Sequence, residues 1–181
     1  IPFKMNKDEA IKKLTDFYGG KPLLPDAFKE RNHIEDIKGV YVPFWLYDGT
    51  ADVDMAFRGT ISHSHREGDY TVTVTENYSI LRQGTVQFNR VPADGSSKMP
   101  DEFMDAIEPY NYKDMIPFEM GYMTGYLADR YDVTAEQDRN RVNTRMRTSS
   151  ADKIRETVRG YHTLFPRRSN IYIREDKVHY A

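Results

Sequence analysis

His63-Ser64-His65 places two imidazoles on one side of an extended chain, because side chains alternate along a strand. Two such histidines hold a metal when a third ligand converges on them. Asp52 and Asp54 can supply carboxylates, if strand pairing brings them into register. The chain has no cysteine, so a thiolate site is excluded. Ser64 does not complete a nucleophilic triad, which needs a base oriented by a third group. A metal-dependent enzyme at His63 and His65 is therefore the smallest of the chemical readings.

The stretch from Arg139 to Arg168 carries nine cationic side chains against Asp152 and Glu156, a net +7, while the rest of the chain is −9. Arg141 and Arg145 share a helical face, as do Arg155 and Arg159. Guanidinium groups suit bidentate phosphate contacts, so nucleic acid or an anionic lipid surface is a physically sound partner. The same arginines can instead be a solvated face paired with acidic neighbours. Few aromatics interleave with them, which disfavours base stacking on a single strand.

Asp94-Gly-Ser-Ser-Lys98 offers hydroxyls, an amine and backbone N–H groups in a glycine loop. Such a loop either cradles an anion or is a plain turn with serine capping. The thirteen tyrosines and Trp45 either line a groove or build an aromatic core. Met115, Met120 and Met123 read as core filler.

The elements that position these groups are organised around Gly39-Val-Tyr-Val-Pro-Phe-Trp-Leu-Tyr-Asp48, apolar on both alternating faces and so a strand covered on both sides. Pro43 cannot donate to a ladder and marks an edge or bulge. Asp48-Gly49 is either a hairpin turn or a bend in one long strand running on to Phe57; the bend is favoured. Val53, Met55 and Phe57 then face inward, and Asp52 and Asp54 face water.

Before this strand, Asn6 and Glu9 form a capping box opening a helix with Ala10, Leu14, Phe17 and Tyr18 on its apolar side, closed by Gly19-Gly20. Pro22 to Pro25 is a loop, Asp26 caps a single turn, and Asn32 to Lys38 is polar. After it, a turn at Glu67-Gly68-Asp69, a strand from Tyr70 to Leu81, a turn at Arg82-Gln83-Gly84 and a strand to Val91 complete a meander of three or four strands. A short helix follows from Asp101 to Ile107, then a helix from Phe118 to Tyr131. The Thr134 to Gln137 capping box opens a long polar helix with apolar Val142 and Met146. Ile154 and Val158 lie well round the helical wheel from that pair, so a break is expected at Thr148-Ser149-Ser150. Strands over Tyr161–Phe165 and Asn170–Tyr180 end the chain, the second bent near Glu175-Asp176.

Length fits one domain over residues 1–181, with at most a small appendage. No apolar run approaches the ~18 residues that cross a bilayer, and no signal peptide is visible. The start at Ile1 and a last strand running into Lys177–Ala181 read as cut ends of a longer protein. The absence of cysteine fits a reducing compartment such as the cytoplasm.

Gly39 to Asp48, Asp94-Gly-Ser-Ser-Lys-Met99, Glu108-Pro-Tyr110, Gly125-Tyr-Leu-Ala-Asp-Arg-Tyr-Asp-Val133 and Ser169-Asn-Ile171 occur in this order. As a set they resemble the region after the N-terminal zinc ribbon in Gram-positive bacterial TFIIB-type zinc-ribbon-containing proteins. Some of these are called DNA helicase or primosomal protein PriA. The resemblance implies zinc-binding cysteines upstream and hydrophobic segments downstream, and hence membrane linkage through parts outside this chain. It implies no cofactor within it. A helicase motor needs a phosphate-cradling loop ending in Gly-Lys-Ser/Thr, and Asp94-Gly-Ser-Ser-Lys98 lacks the first glycine, the spacing and that ending.

The expectation is thus an α+β chain: an antiparallel sheet, made of a meander plus C-terminal strands, with helices on one face or end. Its expected function is that of a non-catalytic binding or interaction module. Nucleic-acid binding through Arg141, Arg145, Arg155 and Arg159 is the first alternative.

Overall fold

The computed structural model describes residues 1–19, 21 and 37–181. In chain order the elements are α1 (Lys7–Gly19), β1 (Val40–Tyr41), β2 (Phe44–Glu67), β3 (Tyr70–Asp94), α2 (Asp101–Ala106), β4 (Leu127–Ala128), α3 (Ala135–Glu156) and β5 (Thr163–Tyr180). The fold is α+β, with a three-stranded antiparallel sheet and a two-stranded parallel pair. The expected loop at 22–25, the turn opened by Asp26 and most of the stretch from Asn32 to Lys38 lie outside the described residues. The chain divides into two compact units, Ile1–Pro43 with Asp94–Asp132, and Phe44–Ala93 with Val133–Ala181.

The first unit is built from short pieces. Asn6 caps α1 as its sequence requires: the Glu9 N–H donates to Asn6 Oδ1 at 2.9 Å, and the Asn6 N–H donates to Glu9 Oε2 at 3.2 Å. Of the expected apolar stripe, Phe17 is exposed. Pro43 does not kink a continuous strand but ends one. β1 stops at Tyr41, β2 begins at Phe44, and β1 pairs in parallel with β4 through Val40–Leu127 and Tyr41–Ala128. Phe3 stacks on Tyr126 at 4.6 Å and meets Tyr41 edge-on at 4.9 Å. The ring of Tyr126 lies where a Cβ on residue 39 would be, which requires Gly39.

The helix expected over Phe118–Tyr131 is absent. Met120–Met123 forms one 3-10 turn, Gly125 takes φ +85°, and Leu127-Ala128 becomes β4. Two glycines in a short segment remove the helical preference, and the pairing with β1 replaces it. Met120 is exposed rather than core filler.

The second unit is a sheet ordered β3-β2-β5 with α3 against one face. β2 is one strand of 24 residues, so Asp48-Gly49 is a bend and not a hairpin. The register against β5 slips between Asp48 and Gly49, opposite Lys177 and Glu175, which leaves Asp176 as the extra residue of a bulge. The bend expected near Glu175-Asp176 is this bulge. Gly49 permits it: a Cβ there would sit 3.0 Å from the Arg174 carbonyl oxygen.

Arg82-Gln83-Gly84 is continuous strand rather than a turn, so the meander has fewer and longer strands than its turn residues suggest. Gly84 serves packing instead. A Cβ on it would meet Ile154 Cδ1 of α3 at 3.2 Å. The two C-terminal strands are likewise one, β5, bulged where Ala56 and Phe57 face Arg168 and Pro166.

From Tyr47 to Gly59, burial along β2 alternates strictly. Ala51, Val53, Met55 and Phe57 are buried and join Ile80, Ile154 and Val158 in one core cluster, while Tyr47, Ala93, Val142 and Met146 form a second. α3 has no break at Thr148-Ser149-Ser150. Asp138, Val142, Met146, Ser150 and Ile154 are all buried, one every four residues. That row is inclined to the helix axis, so it drifts round the wheel as the helix crosses a twisted sheet. Ser150 is accommodated because its hydroxyl donates to the Met146 carbonyl at 2.7 Å.

Candidate functional site

Three candidate clusters and one open surface follow from this architecture. The basic segment is the first. Its arginines do not gather on one face of α3. Arg139 pairs with Glu175 at 3.0 Å, and Arg145 Nη1 donates to the Pro92 carbonyl at 2.7 Å. Arg168 Nη2 reaches both Asp54 oxygens, at 2.8 and 3.0 Å. Arg141 is half-buried, whereas Arg147, Lys153, Arg155 and Arg159 are exposed. Three of the nine cations, Arg139, Arg145 and Arg168, are thus engaged by named partners in the second unit, and the exposed Lys153, Arg155 and Arg159 sit in the last turns of α3 and just beyond it.

The histidine pair lies on a two-stranded ribbon. β5 begins at Thr163, opposite Thr60, so beyond that point β2 and β3 continue as a hairpin with exposed faces. Ser62–Thr75 and Ser64–Thr73 hydroxyl pairs, at 2.9 and 2.8 Å, line one face and set the register. His63 and His65 therefore point to the other. Sequence reasoning overlooked His162, whose ring lies 6.2 Å from that of His63. Its Nδ1 accepts the Ser62 N–H at 3.0 Å, so one ring nitrogen is already taken. Asp54 is nine residues from His63 along the same strand, about 30 Å, and is held by Arg168. Among the described residues, no group of three or more histidines and carboxylates is placed to hold a metal.

The glycine loop forms the third cluster, in the first unit. Asp129 takes the Ser96 hydroxyl on one oxygen and the Lys98 ammonium on the other, the latter at 2.5 Å. Asp132 receives the Ser97 N–H at 2.8 Å and the Ser97 hydroxyl at 2.7 Å. The Gly95 N–H donates to the Pro43 carbonyl, and the Gly95 carbonyl accepts from the Asp132 N–H. The Asp129 N–H in turn donates to the Tyr41 carbonyl.

Three of the stretches that carry the family resemblance (39–48, 94–99 and 125–133) thus meet at one polar node. Lys98 and then Ser96 hold the Asp129 carboxyl down at about 2, and Asp129 in turn raises Lys98. The side chains of Ser96, Ser97, Lys98, Asp129 and Asp132 are turned on one another. The Gly95, Ser97 and Lys98 N–H groups face the chain's own acceptors, so the loop is a brace rather than an anion cradle. The Ser96 proton is directed to a carboxylate that Lys98 makes a weak base.

The open surface is the face of the second unit's sheet opposite α3. Asp52 and Asp54 lie there as expected, between β3 and β5. Register sets Asp52 beside Tyr172 and Asp54 beside Asn170. Thr85 donates its hydroxyl to Asp52 at 3.0 Å, and Arg174 pairs with Asp52 at 3.0 Å. Asp52, Asp54, Gln83, Thr85, Asn170 and Tyr172 line a shallow groove of about 770 Å³. The aromatic side chains divide accordingly: Tyr47 is core, while Tyr70, Tyr172 and Tyr180 are exposed. Sequence reasoning placed the two aspartates but missed Gln83, Thr85, Asn170 and Tyr172. Continuing the strand alternation through Gly84 would have found Gln83 and Thr85.

With this geometry in hand, comparison gives a bacterial relative. The chain is 33% identical over 172 residues, 95% of its length, to an uncharacterised protein, YdjG, of Bacillus subtilis (strain 168). It spans about half the length of that protein. No family model and no solved structure matches. No helix of the described residues is long and apolar enough to cross a membrane.

Proposed function

We propose that this chain is a non-catalytic binding module of a larger bacterial protein. The observation that carries the reading is the contrast between the Ser96–Lys98–Asp129 node and the sheet. The node holds the groups best suited to chemistry and turns them on one another. Among the described residues, the sheet leaves the face around Asp52 and Asp54 open, with Leu81, Phe165 and Tyr172 exposed. The resemblance to regions that follow a zinc ribbon supports a place in the cytoplasm, with any membrane tie made by parts outside this chain.

A panel of hydrolase and transferase substrates tests this directly. No turnover above buffer is expected. Turnover abolished by Ser96→Ala or Asp129→Asn would overturn the reading.

Nucleic-acid binding is the second reading, favoured by the exposed Lys153, Arg155 and Arg159. Arg155→Glu/Arg159→Glu is the informative variant, because Arg145 is engaged with the Pro92 carbonyl and its loss would perturb packing. Salt-sensitive binding of labelled DNA, RNA or anionic liposomes that this variant removes would promote it. Silence with all three would retire it.

A further inference from the structure

We propose that the groove on the open sheet face binds a neutral, polyhydroxylated ligand of the oligosaccharide class. The inference deepens the binding-module reading and rests on it.

The first argument is charge. Asp52 and Asp54 would make this an acidic surface, but Arg174 and Arg168 sit against them at 3.0 and 2.8 Å. A cationic ligand would have to displace a guanidinium, and an anionic one would meet the carboxylates. Neither has the advantage there that a neutral ligand has.

The second argument is hydrogen-bond capacity. The pairing holds both carboxylates in fixed planes while leaving acceptor positions on each. Gln83 and Asn170 flank Asp54 in the groove, and among the described residues their amides make no side-chain hydrogen bond. An amide presents a donor and an acceptor side by side. That is the complement of adjacent hydroxyl groups, each of which needs both.

The third argument is Tyr172. It lies opposite Asp52 at the edge of the groove and is 68% exposed. A tyrosine has a large apolar face and a polar tip, and its apolar face fits the C–H face of a sugar ring. Covering it would supply the apolar area that hydrogen bonds exchanged with water do not. The groove volume of about 770 Å³ lies within the usual range for small-molecule sites. Its open form suits a stretch of a chain rather than an enclosed monomer.

The test is a calorimetric and NMR titration with chitohexaose, cellohexaose and maltohexaose, three neutral oligosaccharides. At least one is expected to bind, with an affinity that does not change between low and moderate salt. Tyr172→Ala should weaken it by about tenfold or more. Asn170→Ala should weaken it as well, and Tyr70→Ala, an exposed tyrosine on the hairpin ribbon, should not. Because these residues are on the surface, the variants should keep the wild-type melting temperature.

No binding of any of the three, or binding that ignores Tyr172→Ala and Asn170→Ala, would overturn the proposal while leaving the module reading intact. Reducing ends released during a titration would do the reverse: the groove would stand and the non-catalytic reading would fall.

Discussion

The Tyr47 hydroxyl donates to the Ala135 carbonyl at 2.6 Å, fastening the beginning of β2 to the first residue of α3. Two residues earlier on the strand, the Trp45 indole N–H donates to the Val133 carbonyl at 2.9 Å. One aromatic pair thus sets where the long helix begins. Burial pushes the Tyr47 hydroxyl up to about 12, with Asp138 and Glu175 adding to it. The folded chain therefore holds this proton more tightly than the unfolded chain does. Its contribution to stability is complete below about pH 10 and is lost as pH rises from 10 toward 12. Tyr47→Phe should cost about 1–2 kcal/mol at neutral pH. It should also flatten the alkaline fall in a series of urea titrations. Tyr110 shifts in the same direction, so the difference between the two proteins is the informative quantity.

Asp129 gives the opposite pH dependence. Its carboxyl is held at about 2 by Lys98 and Ser96, so its contribution is complete above about pH 4 and is lost as pH falls toward 2. Asp129→Asn keeps the size of the side chain and loses the ion pair. The variant should show faster proteolysis at Lys98 at neutral pH and a smaller further change on acidification. Unchanged cleavage rates would mean that the loop is held without this carboxylate.

Gly59 sits beneath Tyr161. A Cβ on residue 59 would lie 2.6 Å from Tyr161 Cδ1 and 2.9 Å from Ile80 Cδ1. Gly59→Ala should destabilise the second unit by about 1–3 kcal/mol, measured by chemical denaturation. Combined with Tyr161→Ala, the loss should be less than additive, since removing the ring removes the two closest contacts and leaves only that with Ile80.

Zn²⁺ and Mn²⁺ should leave the melting temperature unchanged. His63 has the imidazole of His162 near it, but among the described residues no group of three or more histidines and carboxylates is placed to hold a metal. A metal-induced rise abolished by His63→Ala would reinstate a metal centre on the ribbon.

What could be read from residue order was local. Both capping boxes form because each partner lies three residues from the other, and the Asp52/Asp54 alternation needs only period two. What could not be read depended on a partner far away in sequence. Gly84 has the chemistry of a turn, but its lack of a side chain serves Ile154, seventy residues later. Thr148-Ser149-Ser150 has the chemistry of a helix break. The core nevertheless follows the four-residue row through Ser150, because the sheet beneath it twists. The Ser96–Lys98 loop was visible as a reactive-looking set. Asp129, which closes it, lies more than thirty residues on, and periodicity does not reach that far.

The ribbon beyond Thr60 has one further use. Its end is the two-residue turn Gly68-Asp69, with Gly68 at φ +61° and open space around it. Neither the third strand nor α3 supports that tip, so the core does not depend on what the tip carries. A short epitope or a dye-labelled cysteine spliced between Gly68 and Asp69 would leave the grooved sheet face unaltered. In a chain that has no native thiol, it would give a handle for watching that face find its ligand.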